Sequence, residues 1–241
     1  RVYRWPQIAE RGFQWLRHRG ERAASLFDGF RVDHLVGFYR TLVRPGEVYP
    51  YFLHGETHEQ LTQGEPILHG FIETGAAVTA EDLGTVPDYV RESLGRLGLP
   101  GYLIQRWHRR WHEDGQPFIP PSEWRPNAVA TTGTHDTETL AEWWETIGSD
   151  ERRGVAGTDA GFSPAVRDTI LSAVYHSPSN LLILPIQDLF GWRARINTPG
   201  TVGEGNWRWA LPWPVDRMRT DAEAAARARA LADLARESGR L

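Results

Sequence analysis

The segment GAAVTAEDLGTVPDYVRESLGRLGLPGYLIQ, residues 75–105, decides the fold because it contains a complete strand–helix–strand pattern. Residues 75–82 form a short apolar run that ends in two acids, which predicts a buried strand. Pro87 can open a helix, apolar residues follow at helical spacing, and Gly98 can end it. Residues 101–105 then predict a second strand. Two strands joined through a helix indicate a parallel βαβ unit.

The same alternation continues on both sides of this unit. On the N-terminal side, a helix over 7–26 leads to a strand at 27–33, and residues 35–66 are expected to be mostly loop. The other predicted elements are a helix at 67–73, a strand at 128–132, helices at 140–147 and 164–175, a strand at 181–184, and a last helix opened by a capping pair, Thr220 and Glu223. Five strands in an α/β chain fit an open doubly wound sheet or part of a (β/α)8 barrel. No internal repeat or linker is visible, so we expect a single domain over 1–241.

The composition excludes several classes of function. Cys is absent, which excludes disulfides, thiolate nucleophiles and Cys-based metal sites, and is compatible with the cytoplasmic location that we expect. All 27 basic residues are Arg, so a P-loop lysine and Schiff-base chemistry are also excluded. A net charge of −4 gives no reason to expect nucleic acid or anionic lipid as a partner. The chain contains no apolar run long enough to predict a membrane helix.

Acidic residues follow four of the five predicted strands. In parallel α/β folds, functional groups gather at the carboxyl ends of the strands. A lone Asp there can simply cap the next helix, but Glu is not a favoured cap. Arg31 lies two residues before Asp33, so both side chains share one face of the strand, where an Arg would keep the carboxylate ionised and oriented. The residues after the five strands are Asp33, Glu81, Gln105, Asp136 and Asp188.

Carboxyl groups on neighbouring strands suit a retaining glycosidase. Such an enzyme needs a carboxylate nucleophile and a carboxylic acid roughly 5–5.5 Å apart, and a third acid can hold sugar hydroxyls. The 11 Trp residues add weak support, because an indole ring can pack against a sugar ring.

Other constellations are weaker. Two His pairs have a spacing of four residues, as in some zinc sites, but neither has the Glu of the zinc motif, so we expect no metal. The glycine-rich stretch 200–206 is not followed by a helix, so we do not expect a phosphate cradle. The two pairs are His54 with His58 and His108 with His112.

Five motifs in a fixed order carry a resemblance to a known family. They are Phe30-Arg31-Val32-Asp33-His34, Ala80-Glu81-Asp82-Leu83-Gly84, Thr134-His135-Asp136-Thr137, Leu184-Pro185-Ile186-Gln187-Asp188-Leu189, and Arg195-x-Asn197-Thr198-Pro199-Gly200-Thr201 followed by Asn206-Trp207. They resemble the motifs of the 4-α-glucanotransferases, glycoside hydrolase family 77 of the α-amylase clan. The resemblance runs from Tyr3 to about Trp209. It implies a retaining (β/α)8 enzyme that transfers α-1,4-glucan segments between maltooligosaccharides without a cofactor.

The resemblance also implies a role for each motif residue. Asp33 would be the nucleophile, Glu81 the general acid and then the base, and Asp136 the residue that stabilises the transition state through sugar hydroxyls. Arg31 would orient Asp33, and His135 would bond the sugar in the cleaved subsite. Further substrate-binding residues would be His34, Asn197, Pro199 and Gly200.

Two features depart from the family pattern. The usual His-Phe-Arg-Gly is here His34-Leu35-Val36-Gly37, so the role of that Arg is absent or supplied by Arg40. The first three barrel strands have no counterpart, so we expect the chain to cover about strands 4 to 8 and the C-terminal helix, and to be inactive alone. An α-glucan hydrolase with the same machinery and a non-catalytic glucan-binding fragment remain as alternatives. The sequence gives no indication of an oligomeric state.

Overall fold

The computed structural model describes residues 2–44, 46 and 48–241, and the chain divides into two compact units. Unit 1 is Arg1–Tyr102 and unit 2 is Leu103–Leu241. The expectation of one domain over 1–241 stays a prediction. Among the helices of the described residues, none is long and apolar enough to span a membrane.

Unit 1 alternates helices with short strands. Its elements are α1 (Trp5–Glu10), α2 (Gln14–Ala24), β1 (Gly29–Val32), α3 (Val36–Tyr39), β2 (Leu42–Val43), β3 (Tyr51–Phe52), α4 (Thr57–Ile72), β4 (Ala77–Ala80) and α5 (Asp88–Leu97), and β5 (Gly101–Ile104) crosses into unit 2. β1 and β4 pair in parallel, and β2 and β3 form an antiparallel hairpin. Gly29 permits the close approach of β1 to β4, because a Cβ there would lie 2.5 Å from the carbonyl oxygen of Ala77. The core of the unit includes Leu35, Leu68 and Val90.

Two predictions for unit 1 are wrong. The helix expected over 7–26 is two helices, because Gly12 and Phe13 both have left-handed φ angles, of 59° and 55°, which a right-handed helix cannot continue. Residues 35–66 are not mostly loop, since α3 lies among them and α4 begins at Thr57. The N-terminal turn of α4 is closed by the Glu59 carboxylate, which accepts from the Glu56 N–H at 3.3 Å, and Pro66 lies inside the helix rather than before it.

The helix–strand pattern of residues 75–105 is confirmed. α5 ends at Gly98, whose φ of 69° is the left-handed conformation that closes helices. Val90 and Leu94 on its inner face are buried, as their spacing predicts.

Unit 2 contains a three-stranded sheet in the order β5-β6-β7. Its further elements are β6 (Ala128–Thr131), α6 (Leu140–Thr146), α7 (Ser149–Ala156), α8 (Pro164–Tyr175), β7 (Leu181–Leu182), α9 (Ile186–Phe190) and α10 (Ala222–Glu237), with short 3-10 helices at Pro121–Glu123 and Val215–Arg219. β6 and β7 are parallel. Buried side chains such as Leu140, Trp144 and Ile170 form one core cluster, and Trp124 and Val174 belong to another.

Most predicted elements of unit 2 are confirmed, with two corrections. The Ser163 hydroxyl accepts from the Val166 N–H at 3.3 Å, so α8 has the predicted cap. The strand expected at 181–184 is only two residues long. The last helix begins at Ala222 and is capped by Asp221 rather than Thr220, since the Asp221 carboxylate accepts from the Ala224 N–H at 2.9 Å.

Candidate active site

The pairing of β1 with β4 brings two acids of unit 1 to the same edge of a sheet. Val32 is the register partner of Ala80, so Asp33 and Glu81 are the next residues on each strand. The Glu81 N–H donates to the Val32 carbonyl at 2.9 Å, which extends the pairing to the point where the acids emerge. Both side chains therefore start from the carboxyl ends of parallel strands, where active sites of α/β folds form.

Arg31 contacts both of these acids. One of its terminal nitrogens, Nη2, lies 2.6 Å from Asp33 Oδ1 and 3.7 Å from Glu81 Oε2. Its guanidinium carbon lies 5.0 Å from the centre of the Tyr102 ring, and the Tyr102 hydroxyl is 3.2 Å from Thr79 Oγ1. A planar guanidinium supported on an aromatic ring has a fixed orientation, so Arg31 can hold the two carboxyl groups in place.

The two acids have different environments. The Asp33 side chain is 73% exposed, whereas that of Glu81 is 15% exposed. Burial raises the pKa of Glu81, and the His34 N–H and the Arg31 charge offset this only in part. Glu81 is therefore protonated at a higher pH than an ordinary carboxyl group, as a general acid requires.

His34 contributes a backbone group to this site. Its N–H donates to Glu81 Oε2 at 2.5 Å, and its φ angle of 46° is in the left-handed region. This turn directly after Asp33 aims the N–H at the acid of the neighbouring strand. His34 is thus placed beside Glu81, and its backbone is the group that makes the contact.

Unit 2 holds Asp136 through three other side chains. Asn197 Nδ2 donates to Asp136 Oδ1 at 2.6 Å, and His135 Nε2 lies 3.4 Å from Oδ2. Arg195 Nη2 donates to the Asp136 carbonyl at 2.7 Å and its Nε donates to the Asn197 carbonyl at 2.7 Å. The segment after α9 therefore fixes both the backbone and the carboxylate of Asp136.

Residues 198–207 form a closed turn beside His135. The Thr198 N–H donates to Asn206 Oδ1 at 2.9 Å, and the Trp207 and His135 rings lie 5.2 Å apart between centroids. Pro199 and Gly200 are exposed within this turn, and Gly200 adopts a φ of 76°. The turn presents these two residues to solvent.

The structure thus brings the predicted site residues together in two groups. In unit 1 Arg31 joins Asp33, Glu81 and His34, and in unit 2 His135 and Asn197 join Asp136. The position of Tyr102 beneath Arg31 was not predicted, although an aromatic residue on the strand that follows β4 in the chain was a usable signal. No role was predicted for Arg195 or for the ring of Trp207. Both residues belong to the fifth sequence motif, which could have indicated a role for them.

A histidine of the first pair contacts a side chain outside its pair. His54 Nε2 lies 2.8 Å from Gln63 Oε1. Within residues 2–44, 46 and 48–241, no three His, Cys, Asp or Glu side chains are grouped so that they could hold a metal ion.

Paired carboxyl groups of unequal burial at parallel strand ends are compatible with the chemistry of glycoside-processing enzymes. The model of the family described as 4-alpha-glucanotransferase, glycoside hydrolase family 77, matches residues 1–216, and the chain belongs to this family. A 4-alpha-glucanotransferase from Chlamydia caviae is 30% identical over 91% of this chain and 44% of the relative. The chloroplastic/amyloplastic 4-alpha-glucanotransferase from Solanum tuberosum is 28% identical over 100% of this chain and 41% of the relative.

Among solved structures, the amylomaltase from Streptococcus agalactiae in complex with acarbose superposes with a TM-score of 0.77. The identity is 23%, and the match covers 99% of this chain and 47% of that chain. This likeness establishes the α/β fold. The chain spans less than half the length of the relatives it matches.

Proposed function

We propose that this chain, in its full-length protein, belongs to a 4-α-glucanotransferase that moves α-1,4-glucan segments between maltooligosaccharides. The observation that carries the proposal is the contact of Arg31 with both Asp33 and Glu81, of which Asp33 is exposed to solvent and Glu81 is shielded from it. Burial raises the pKa of Glu81. An exposed carboxyl group beside a shielded one with a raised pKa suits the nucleophile and the general acid that retaining transfer needs. We also propose that the chain supplies about strands 4 to 8 of a (β/α)8 barrel and acts as one domain.

The proposed reaction has two displacement steps. In the first, Asp33 Oδ attacks the anomeric carbon of the donor glucan, the bond from that carbon to the glycosidic oxygen breaks, and the Glu81 proton goes to the departing oxygen. This leaves a β-glucosyl ester on Asp33. In the second step, the Glu81 carboxylate takes the proton of the acceptor hydroxyl, whose oxygen attacks the anomeric carbon and releases Asp33. The anomeric configuration is retained.

The remaining site residues have supporting roles in this proposal. Asp136 accepts hydrogen bonds from sugar hydroxyls as the ring approaches the oxocarbenium ion, and Asn197 fixes its carboxylate for this task. Arg31 orients Asp33, while His34, His135, Pro199 and Gly200 contact the glucan. The order of the five sequence motifs and the contacts within each unit support these roles. Both steps use side-chain carboxyl groups alone, so the proposal includes no metal or cofactor.

A cytoplasmic location is also only a proposal. The relative from Solanum tuberosum is named as chloroplastic/amyloplastic. Neither nucleic acid nor a membrane has a part in the proposed reaction.

Incubation of the full-length protein with maltotriose tests the proposal. Transfer yields longer oligosaccharides together with glucose, whereas an α-glucan hydrolase yields only shorter products. Asp33→Asn should abolish both outcomes, because the amide cannot form the glucosyl ester. A non-catalytic glucan-binding protein would leave maltotriose unchanged, and unaltered activity of Asp33→Asn would show that the nucleophile is a different residue.

A further inference from the structure

The loop that carries His135 and Asp136 is held at both ends by one buried carboxylate. This loop, residues 133–139, connects β6 to α6 and is called the His135 loop below. Asp188 Oδ2 accepts from the Thr132 hydroxyl at 2.5 Å, just before the loop. Asp188 Oδ1 accepts from the Leu140 N–H at 2.6 Å, just after it. The residue is 1% exposed, so both contacts lie away from water.

Arg106, a buried cation, also forms hydrogen bonds at both ends of the His135 loop. Its Nε and Nη2 donate to the Thr132 carbonyl at 3.3 and 3.0 Å, and its Nη1 donates to the Glu138 carbonyl at 2.8 Å. Its side chain is 2% exposed, and its guanidinium carbon lies 5.3 Å from the centre of the Trp143 ring. Arg106 therefore binds backbone oxygens at both ends of the His135 loop, while Asp188 binds a hydroxyl and an N–H there.

The loop leaves little room to move between these anchors. A Cβ at Gly133 would lie 2.6 Å from Thr137 Oγ1, 3.3 Å from Arg106 Nη2 and 3.6 Å from Asp188 Oδ2. Thr137 Oγ1 in turn donates to the Thr134 carbonyl at 3.0 Å and accepts from its N–H at 3.0 Å. The loop is thus held by its own hydrogen bonds and packs against Arg106 and Asp188 at Gly133.

A carboxylate and a guanidinium in the core lower the stability of the fold unless their hydrogen bonds compensate for the loss of hydration. Moving each ion out of water costs several kcal/mol, and apolar side chains of similar size often give equal or greater stability. What apolar side chains cannot provide is a set of directed hydrogen bonds to both ends of one loop. Such bonds restrict the backbone of a reactive side chain, and a displacement of about 1 Å in an active site can lower the rate about a hundredfold.

We propose that Asp188 and Arg106 are positioning residues for the transfer reaction, which fix the His135 loop so that Asp136 meets the sugar in the transition state. This inference rests on the proposed function. Neither residue touches the substrate, and both act through the backbone of the loop. The competing explanation is that Asp188 only caps α6, in which case its loss affects folding and not the rate of the folded enzyme.

Thr132 provides the cleanest test, because Thr132→Val removes the hydroxyl with almost no change of shape and Thr132→Ser keeps it. In the full-length protein with maltotriose, we expect Thr132→Val and Asp188→Asn to lower kcat about tenfold or more, with KM within about twofold. Thr132→Ser should stay within about threefold of the wild type in kcat, since the bond to Asp188 is kept. Each kcat is referred to the folded fraction measured by near-UV circular dichroism.

Arg240→Gln is the matched control. Arg240 also donates to backbone carbonyls, those of Tyr175, Ser177 and Ser179, but it does so away from the His135 loop. This variant should lose thermal stability and keep its kcat. If Thr132→Val and Asp188→Asn behave in the same way, with a lower Tm and an unchanged kcat, the inference is overturned. Absence of transfer in the wild type would instead reject the proposed function.

Discussion

Replacing Arg31 with Gln should lower kcat/KM for maltotriose transfer about 5- to 30-fold. The substitution removes a charge-assisted hydrogen bond of 2.6 Å to Asp33. Such a bond contributes about 1.5–3 kcal/mol when shielded. Because Asp33 is 73% exposed, solvent screening reduces this to about 1–2 kcal/mol, and each 1.36 kcal/mol is a factor of about ten in rate.

The same substitution should also shift the pH profile. The Arg31 charge lowers the pKa of Glu81 against the opposing effect of burial. Without that charge the pKa of Glu81 rises further, so the acid stays protonated to a higher pH. The basic limb of the kcat/KM profile should therefore move to higher pH.

The assay is the initial rate of glucose release from maltotriose by the full-length protein, followed from about pH 5 to about pH 9. Arg17→Gln is the control, because it also removes an ion pair of unit 1, the exposed contact with Glu73 at 3.4 Å. The control should match the wild type in rate and profile. A rate for Arg31→Gln within twofold of the wild type, with the basic limb unmoved, would refute the reasoning.

Three further predictions concern single contacts. Glu81→Gln should lower the transfer rate about a hundredfold or more and remove the basic limb, and persistence of that limb would assign it to another group. Burial raises the folded-state pKa of Glu81, so the free energy of unfolding should fall as pH rises from the ordinary carboxyl pKa through the raised one. Urea unfolding of Glu81→Gln at a series of pH values should lack this decline. Gly64→Ala places a Cβ 2.6 Å from the buried Tyr39 ring, so the free energy of unfolding should drop by about 1–3 kcal/mol in urea titration; an unchanged midpoint would mean that the ring yields.

Local patterns predicted the parts of the site that depend on neighbouring residues. The spacing of Arg31 and Asp33 placed both on one strand face, and the structure brings them into direct contact. The acids after the strands of unit 1 meet because parallel pairing aligns Val32 with Ala80. The first feature follows from the two-residue period of a strand, whereas the alignment of β1 with β4 joins residues 48 positions apart and is seen only in the structure.

Contacts between distant residues were beyond the sequence patterns. Asp188 contacts residues 56 and 48 positions earlier, Thr132 and Leu140, and no local period encodes such a pairing. The start of α4 was missed for a different reason. Its N-cap residue, Glu56, is a poor capping type, and Pro66 is usually a boundary signal, so both local cues indicated loop where tertiary packing stabilises a helix.

The backbone contact from His34 to Glu81 separates two properties that one residue would otherwise combine. The N–H that anchors the acid belongs to any amino acid that tolerates a φ of 46°, whereas the imidazole is the part of His34 that we propose to contact the glucan. Asn and Gly accept this conformation readily and β-branched residues do not. Replacements at position 34 that tolerate this turn therefore keep the N–H contact with Glu81 and change the proposed glucan contact. They also remove the lowering effect of the His34 charge on the pKa of Glu81.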